Sequence, residues 1–253
     1  MTPFLRRKTV LRQRAAEFDS RYWQSAIEVT STNWEGRKAA AQRATDPTKL
    51  LRAVRGEWHM GLRYLAAQYS AGVGRDAIGD VAESVAGAYC RWVDLAFSDR
   101  GPSPSLSGGS EYYISVLRLL GITMGCGREH SARALLEMVV RQGADPLFAV
   151  LASASGIHSR GEDMPSTPQF ARPLLTALEQ PGDATRAIEA YLSDWPSRMR
   201  PMDWMGSLEA VLPGEGYGAG FFGYWALELS AIARATDVRL DRLRSPFLPV
   251  DLL

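Results

Sequence analysis

A chain of 253 residues, 46% of them hydrophobic and 23% charged, suits one sizeable globular domain or two small ones tightly joined, and needs no covalent staples. Its two cysteines, Cys90 and Cys126, exclude a disulfide framework and fit a reducing cytoplasm, while the basic start from Met1 to Lys8 lacks the apolar stretch of a secretory signal. The net charge of +1 hides an asymmetry, +7 over residues 1–55 against −5 over residues 156–230.

In chain order, Phe18, Tyr22, Ala26 and Val29 share one stripe of a helix over about Thr9–Thr30, and the pattern resumes past Trp34 through Ala39, Ala40 and Ala41. Asp46 and Pro47 mark a second helix start, and Leu50, Leu51, Val54, Trp58, Leu62, Leu65 and Tyr69 carry its stripe to a stop at Gly72. A third helix runs from about Asp76 to Phe97. The Gly-, Pro- and Ser-rich stretch 98–110 then reads as a connector, dividing the chain into units 1–97 and 111–253.

Ser110 is placed to cap a helix bearing Tyr112, Tyr113, Val116, Leu117, Leu119 and Leu120. Further helices are expected at about Arg128–Gln142, from Asp145-Pro146 to Ala154, at Gln169–Gln180, at Asp183–Trp195 and at Met202–Leu212, with a break over Pro196–Pro201. From Ala219 to Ala235 only Glu228 and Arg234 are charged, so this stretch reads as a buried central helix, too short in its apolar run to span a bilayer. The expected fold is all-α: a bundle of antiparallel helix hairpins around a central C-terminal hydrophobic helix.

Chemistry-bearing patterns are sparse. Gly218, Gly220 and Gly223 have G-x-G-x-x-G spacing, but no strand precedes them and too little chain follows for a dinucleotide unit. Cys126 and His130 stand at i and i+4 without a second pair, so no metal is expected, and no cofactor either. Ser107-Gly108-Gly109-Ser110 is no nucleophile elbow, and no glycine-rich loop ends in Lys-Ser or Lys-Thr. No catalytic residue is therefore assigned. Glu228, alone on an apolar stretch, calls for an arginine from a neighbouring element, and Trp195 and Trp204, beside a proline-rich break, could pack beneath it or anchor a homodimer.

At the C-terminal end the residues become more specific. Tyr191, Leu192 and Trp195, then Trp204, the run Phe221-Phe222-Gly223-Tyr224-Trp225-Ala226-Leu227-Glu228, and the close with Pro246, Pro249 and Asp251 resemble the C-terminal domain of PoNi-type immunity proteins. Arg63-Tyr64-Leu65 and Gln68-Tyr69-Ser70-Ala71-Gly72 resemble the companion N-terminal domain. Phe221 and Leu248 depart from the family's tyrosines, and the segment before Leu243 is shortened.

That resemblance implies a non-enzymatic antitoxin acting in the cytoplasm. Its partner would be a cognate nuclease toxin of bacterial competition, delivered by contact or by type VI secretion. A nuclease cleft is basic, so the acidic stretch 156–230 supplies the candidate toxin-binding residues Glu162, Asp163, Asp194, Asp203, Glu209 and Glu215. Neither membrane nor direct nucleic-acid binding is expected. The alternative is a helical nucleic-acid-binding protein that uses the basic N-terminal region.

Overall fold

The computed structural model describes residues 14–98, 106, 109–158, 166–210, 220–236, 238 and 240–253, and among them there are helices and no strand. The all-α expectation holds. Helix α1 (Ser20–Arg43) is one continuous helix, where two segments were expected. Asp19 sets its start by accepting a hydrogen bond from the Tyr22 amide at 2.9 Å, and Trp34 and Ala41 then lie buried within it.

Helix α2 (Pro47–Ala71) begins and ends where its punctuation predicts. Asp46 accepts from the Lys49 amide at 2.8 Å, Pro47 occupies the first turn, and Gly72 closes the helix in the left-handed region at φ 86°. Helix α3 (Arg75–Ser98) follows. The links between α1, α2 and α3 are only three residues long, 44–46 and 72–74, which sets the three helices as antiparallel neighbours. Between α2 and α3, Trp58 lies edge-on to Tyr89 with ring centroids 5.3 Å apart and tilted against Trp92 at 5.9 Å. These rings, with Leu65, Val85 and Val93, are the core of the N-terminal half.

Helix α4 (Ser110–Gly125) is the central element, buried almost throughout from Tyr113 to Thr123. It touches α2, α3 and α5 and also the C-terminal helix. Ser110 is its first helical residue rather than its cap; Gly109 precedes it without a side-chain hydrogen bond. Helices α5 (Glu129–Arg141) and α6 (Pro146–Ala154) follow. Asp145 is buried because it is doubly used, accepting from the Phe148 amide at 3.0 Å and from the Tyr113 hydroxyl at 2.8 Å.

The remaining helices are shorter: α7 (Arg172–Glu179), α8 (Ala184–Ser193), α9 (Trp195–Met199), α10 (Ser207–Ala210) and α11 (Leu229–Thr236). Two differ from expectation. Pro196 does not break the chain, because it stands in the first turn of α9, where a missing amide costs nothing. The helix expected over Met202–Leu212 is confined to α10, its last two residues falling outside the described set. The hydrophobic C-terminal helix is central, packed on α4, α6 and α7, but it starts only at Leu229. Residues 220–226 ahead of it are irregular.

Candidate functional site

The irregular run 220–228 stays out of a helix because its backbone is hydrogen-bonded by side chains from the other half of the chain. The Tyr22 hydroxyl donates to the Phe221 carbonyl at 2.9 Å and accepts from the Phe221 amide at 3.2 Å. The Ser70 hydroxyl donates to the Phe222 carbonyl at 2.7 Å and accepts from the Trp225 indole at 2.8 Å. The Ala226 amide donates to the Phe247 carbonyl at 2.8 Å. Gly223 makes the Ser70 contact possible: it sits at φ 94°, and a Cβ there would fall 2.1 Å from the Ser70 oxygen.

Just beyond this run, Glu228 is fully buried. One carboxylate oxygen accepts from the Tyr191 hydroxyl at 2.7 Å and from the Trp195 indole at 2.8 Å, while the other has no hydrogen-bond partner. The arginine expected nearby is Arg118 of α4, which acts on Glu228 through its charge and not through a hydrogen bond. Burial pushes the Glu228 carboxyl up, and the Arg118 charge and the two donated hydrogen bonds oppose that in part.

Helix α4 approaches this region closely enough to require glycine. A Cβ on Gly121 would lie 2.1 Å from the Leu227 carbonyl oxygen, and one on Gly125 would lie 2.9 Å from Leu252. The close of the chain is fastened in turn, with Asp251 paired to Arg14 and the Phe247 ring stacked on Trp195 at 5.0 Å. Of the residues singled out from the sequence, Tyr191, Trp195, Phe221, Gly223, Trp225, Glu228 and Pro249 are buried. Trp204, Phe222 and Tyr224 are half-buried, and Pro246 and Asp251 are exposed. Trp195 is therefore no surface anchor for a homodimer; its ring is wholly enclosed.

A cleft of about 50 Å³ opens where α2, α4 and the 204–207 turn meet, lined among others by His59, Arg63, Glu111, Ser115, Arg118 and Trp204. Trp204 forms one wall. Its ring lies 4.5 Å from the Arg118 guanidinium and 5.6 Å from Trp195. At the rim Glu111 faces Asp203, and burial together with that neighbouring negative charge holds the Glu111 carboxyl above its ordinary range.

The predicted acidic residues are only partly gathered. Asp194 and Asp203 are both exposed, each directly before a tryptophan of the packed Trp195–Trp204 pair. Asp194 is partly neutralised by Arg198 at 3.0 Å. Glu209 falls on α10, and Glu162, Asp163 and Glu215 lie outside the described residues. Sequence reasoning missed Arg118 and Glu111. The signal for Arg118 was present, a lone cation on the apolar helix α4 that matches the lone acid Glu228.

Residues 143–252 match the family model for PoNe immunity proteins (PoNi), C-terminal. The match spans the run from Tyr191 to Asp251 that carried the resemblance in sequence. No curated protein and no solved structure matches the chain.

Proposed function

We propose that this chain, PoNi-type over residues 143–252, is an immunity protein that binds a polymorphic nuclease toxin and silences it by covering its active-site cleft. The family match is the observation that carries the reading. The chemistry of the described residues agrees with a binding role. Several of its buried polar groups hold the fold together: Ser70 and Tyr22 reach from the N-terminal half to the 221–225 backbone, and within the C-terminal half Tyr191 and Trp195 donate to Glu228.

A nuclease holds phosphates with cationic side chains, so a complementary inhibitor presents carboxylates there and competes with the nucleic acid for the same charge. Asp194 and Asp203 are exposed, each next in sequence to one tryptophan of the packed Trp195–Trp204 pair, and the acidic stretch around them supplies more. Such charge acts mainly on the association rate. The protein acts in the cytoplasm of the producing cell, on toxin arriving by contact or through type VI secretion. No described helix is long and apolar enough to cross a membrane.

Co-expression with the toxic domain is expected to give a complex that survives size-exclusion chromatography. Lysine at both Asp194 and Asp203 is expected to slow association by about tenfold at low salt, with the difference shrinking as salt rises. Equal association of wild type and this double variant at both salt concentrations would remove that surface from the account. A chain that binds nucleic acid with steep salt dependence and ignores the toxin would favour the nucleic-acid alternative instead.

A further inference from the structure

We propose that the cleft between α2, α4 and the 204–207 turn receives one carboxylate side chain of the toxin, which pairs with the guanidinium of Arg118. The inference rests on the immunity reading and adds to it the residue that anchors the partner.

Arg118 is an unusual occupant of the core. It is 6% exposed, its Nε has no hydrogen-bond partner, and it makes no ion pair among the described residues. Buried arginines are ordinarily paired, because an unpaired guanidinium forfeits the hydration of five donors. Here the Trp204 ring at 4.5 Å covers the guanidinium, and Glu228 compensates its charge only through space. The side chain lines the cleft, so the cleft is where its missing partner can stand.

The size and charge of the space select the partner. A cleft of about 50 Å³ is several times the roughly 10–15 Å³ that a cavity needs to admit one water, and so admits a group as small as a carboxylate. Its lining carries Arg63 and Arg118 against Glu111, while His59 adds no charge at neutral pH because burial and the nearby Arg55 and Arg63 lower its pKa to about 4. Asp203 faces Glu111 from the rim. With these acids nearby, the site favours a singly charged carboxylate over a doubly charged phosphate, and the guanidinium fork matches a carboxylate in two parallel hydrogen bonds.

A free carboxylate has little to hold it beyond that contact. A side chain carried by a docked protein arrives already positioned, and an arginine beside a tryptophan is a recurrent anchor of tight interfaces. Asp203 faces Glu111 at the same mouth, so the anchor would sit beside one of the acids proposed to meet the toxin.

The test is titration of the purified toxic domain with the wild-type chain, with the double variant Arg118→Met/Glu228→Gln, and with Ser207→Glu. The double variant removes both buried charges together, so no lone carboxylate is left in the core. Ser207→Glu offers the cleft a carboxylate of its own. With circular dichroism showing folded protein, the double variant is expected to bind about 30-fold more weakly or worse, and Ser207→Glu at least about tenfold more weakly. One toxin Asp or Glu, changed to its amide, is expected to weaken the wild-type complex and leave the double variant's affinity unchanged.

If either folded variant binds within about threefold of wild type, the cleft holds water only and the inference is overturned while the immunity reading stands. A wild-type chain that does not bind overturns both.

Discussion

Glu228→Leu is expected to lower the stability of the fold by about 3–5 kcal/mol, the cost of leaving a buried charge without its counter-charge. Two donors lose their acceptor and a third group loses its compensating charge. The Tyr191 hydroxyl and the Trp195 indole each donate to the same carboxylate oxygen, and Arg118 is compensated by this carboxylate through space. Glu228→Gln keeps an oxygen for both donors and is expected to cost less than the leucine variant.

The pH dependence separates the charge from the shape. Burial raises the Glu228 pKa above its value in the unfolded chain, so the folded state holds that proton more tightly. The stability contributed by this difference is fully present below the unfolded carboxylate value and is lost as pH rises through the folded one. The glutamine variant has no such slope. Its stability relative to wild type is therefore expected to improve from about pH 4 to about pH 7. Urea melts across that range check it, and a difference that does not change with pH would show that Glu228 ionises equally in both states.

Gly121→Ala is expected to destabilise, although alanine is the better helix former by about 1 kcal/mol. The new Cβ would lie 2.1 Å from the Leu227 carbonyl oxygen, a backbone atom that cannot turn aside. Forcing such an overlap costs about 1–3 kcal/mol, so the clash outweighs the propensity gain. Thermal melts would show a loss of about 2–4 °C for each kcal/mol in a chain of this size. Gly87→Ala is the control of opposite sign. It lies exposed in α3 with nothing within 4 Å of the added atom, so the propensity term of about 0.5–1 kcal/mol acts alone and the melting temperature rises. A stabilised Gly121 variant would mean that α4 and the 227–228 turn are not in contact.

The helices whose ends are set by nearby residues were legible in sequence. Asp46-Pro47 and Asp145-Pro146 each place an acidic cap before a proline, and α2 and α6 begin there. The run 220–228 was not legible as an irregular segment. Its apolar residues fit a buried helix equally well, and what decides the matter is a hydroxyl 199 residues away on Tyr22 and another 152 away on Ser70. Glu228 pointed to an arginine, but its position in the chain followed only from the packing of α4. The acidic surface was read from composition, which places charge in a stretch of chain and not on a face of the fold. What relates the Asp194 and Asp203 segments is the packing of Trp195 on Trp204, a contact no stretch of sequence displays.

The immunity reading meets its most direct test in a titration of the toxic domain's nuclease activity with this chain. The account predicts that cleavage falls linearly with added protein and is abolished at one equivalent, with no loss of the nucleic acid to the immunity protein itself. Cleavage that continues undiminished in the presence of excess folded protein would contradict it.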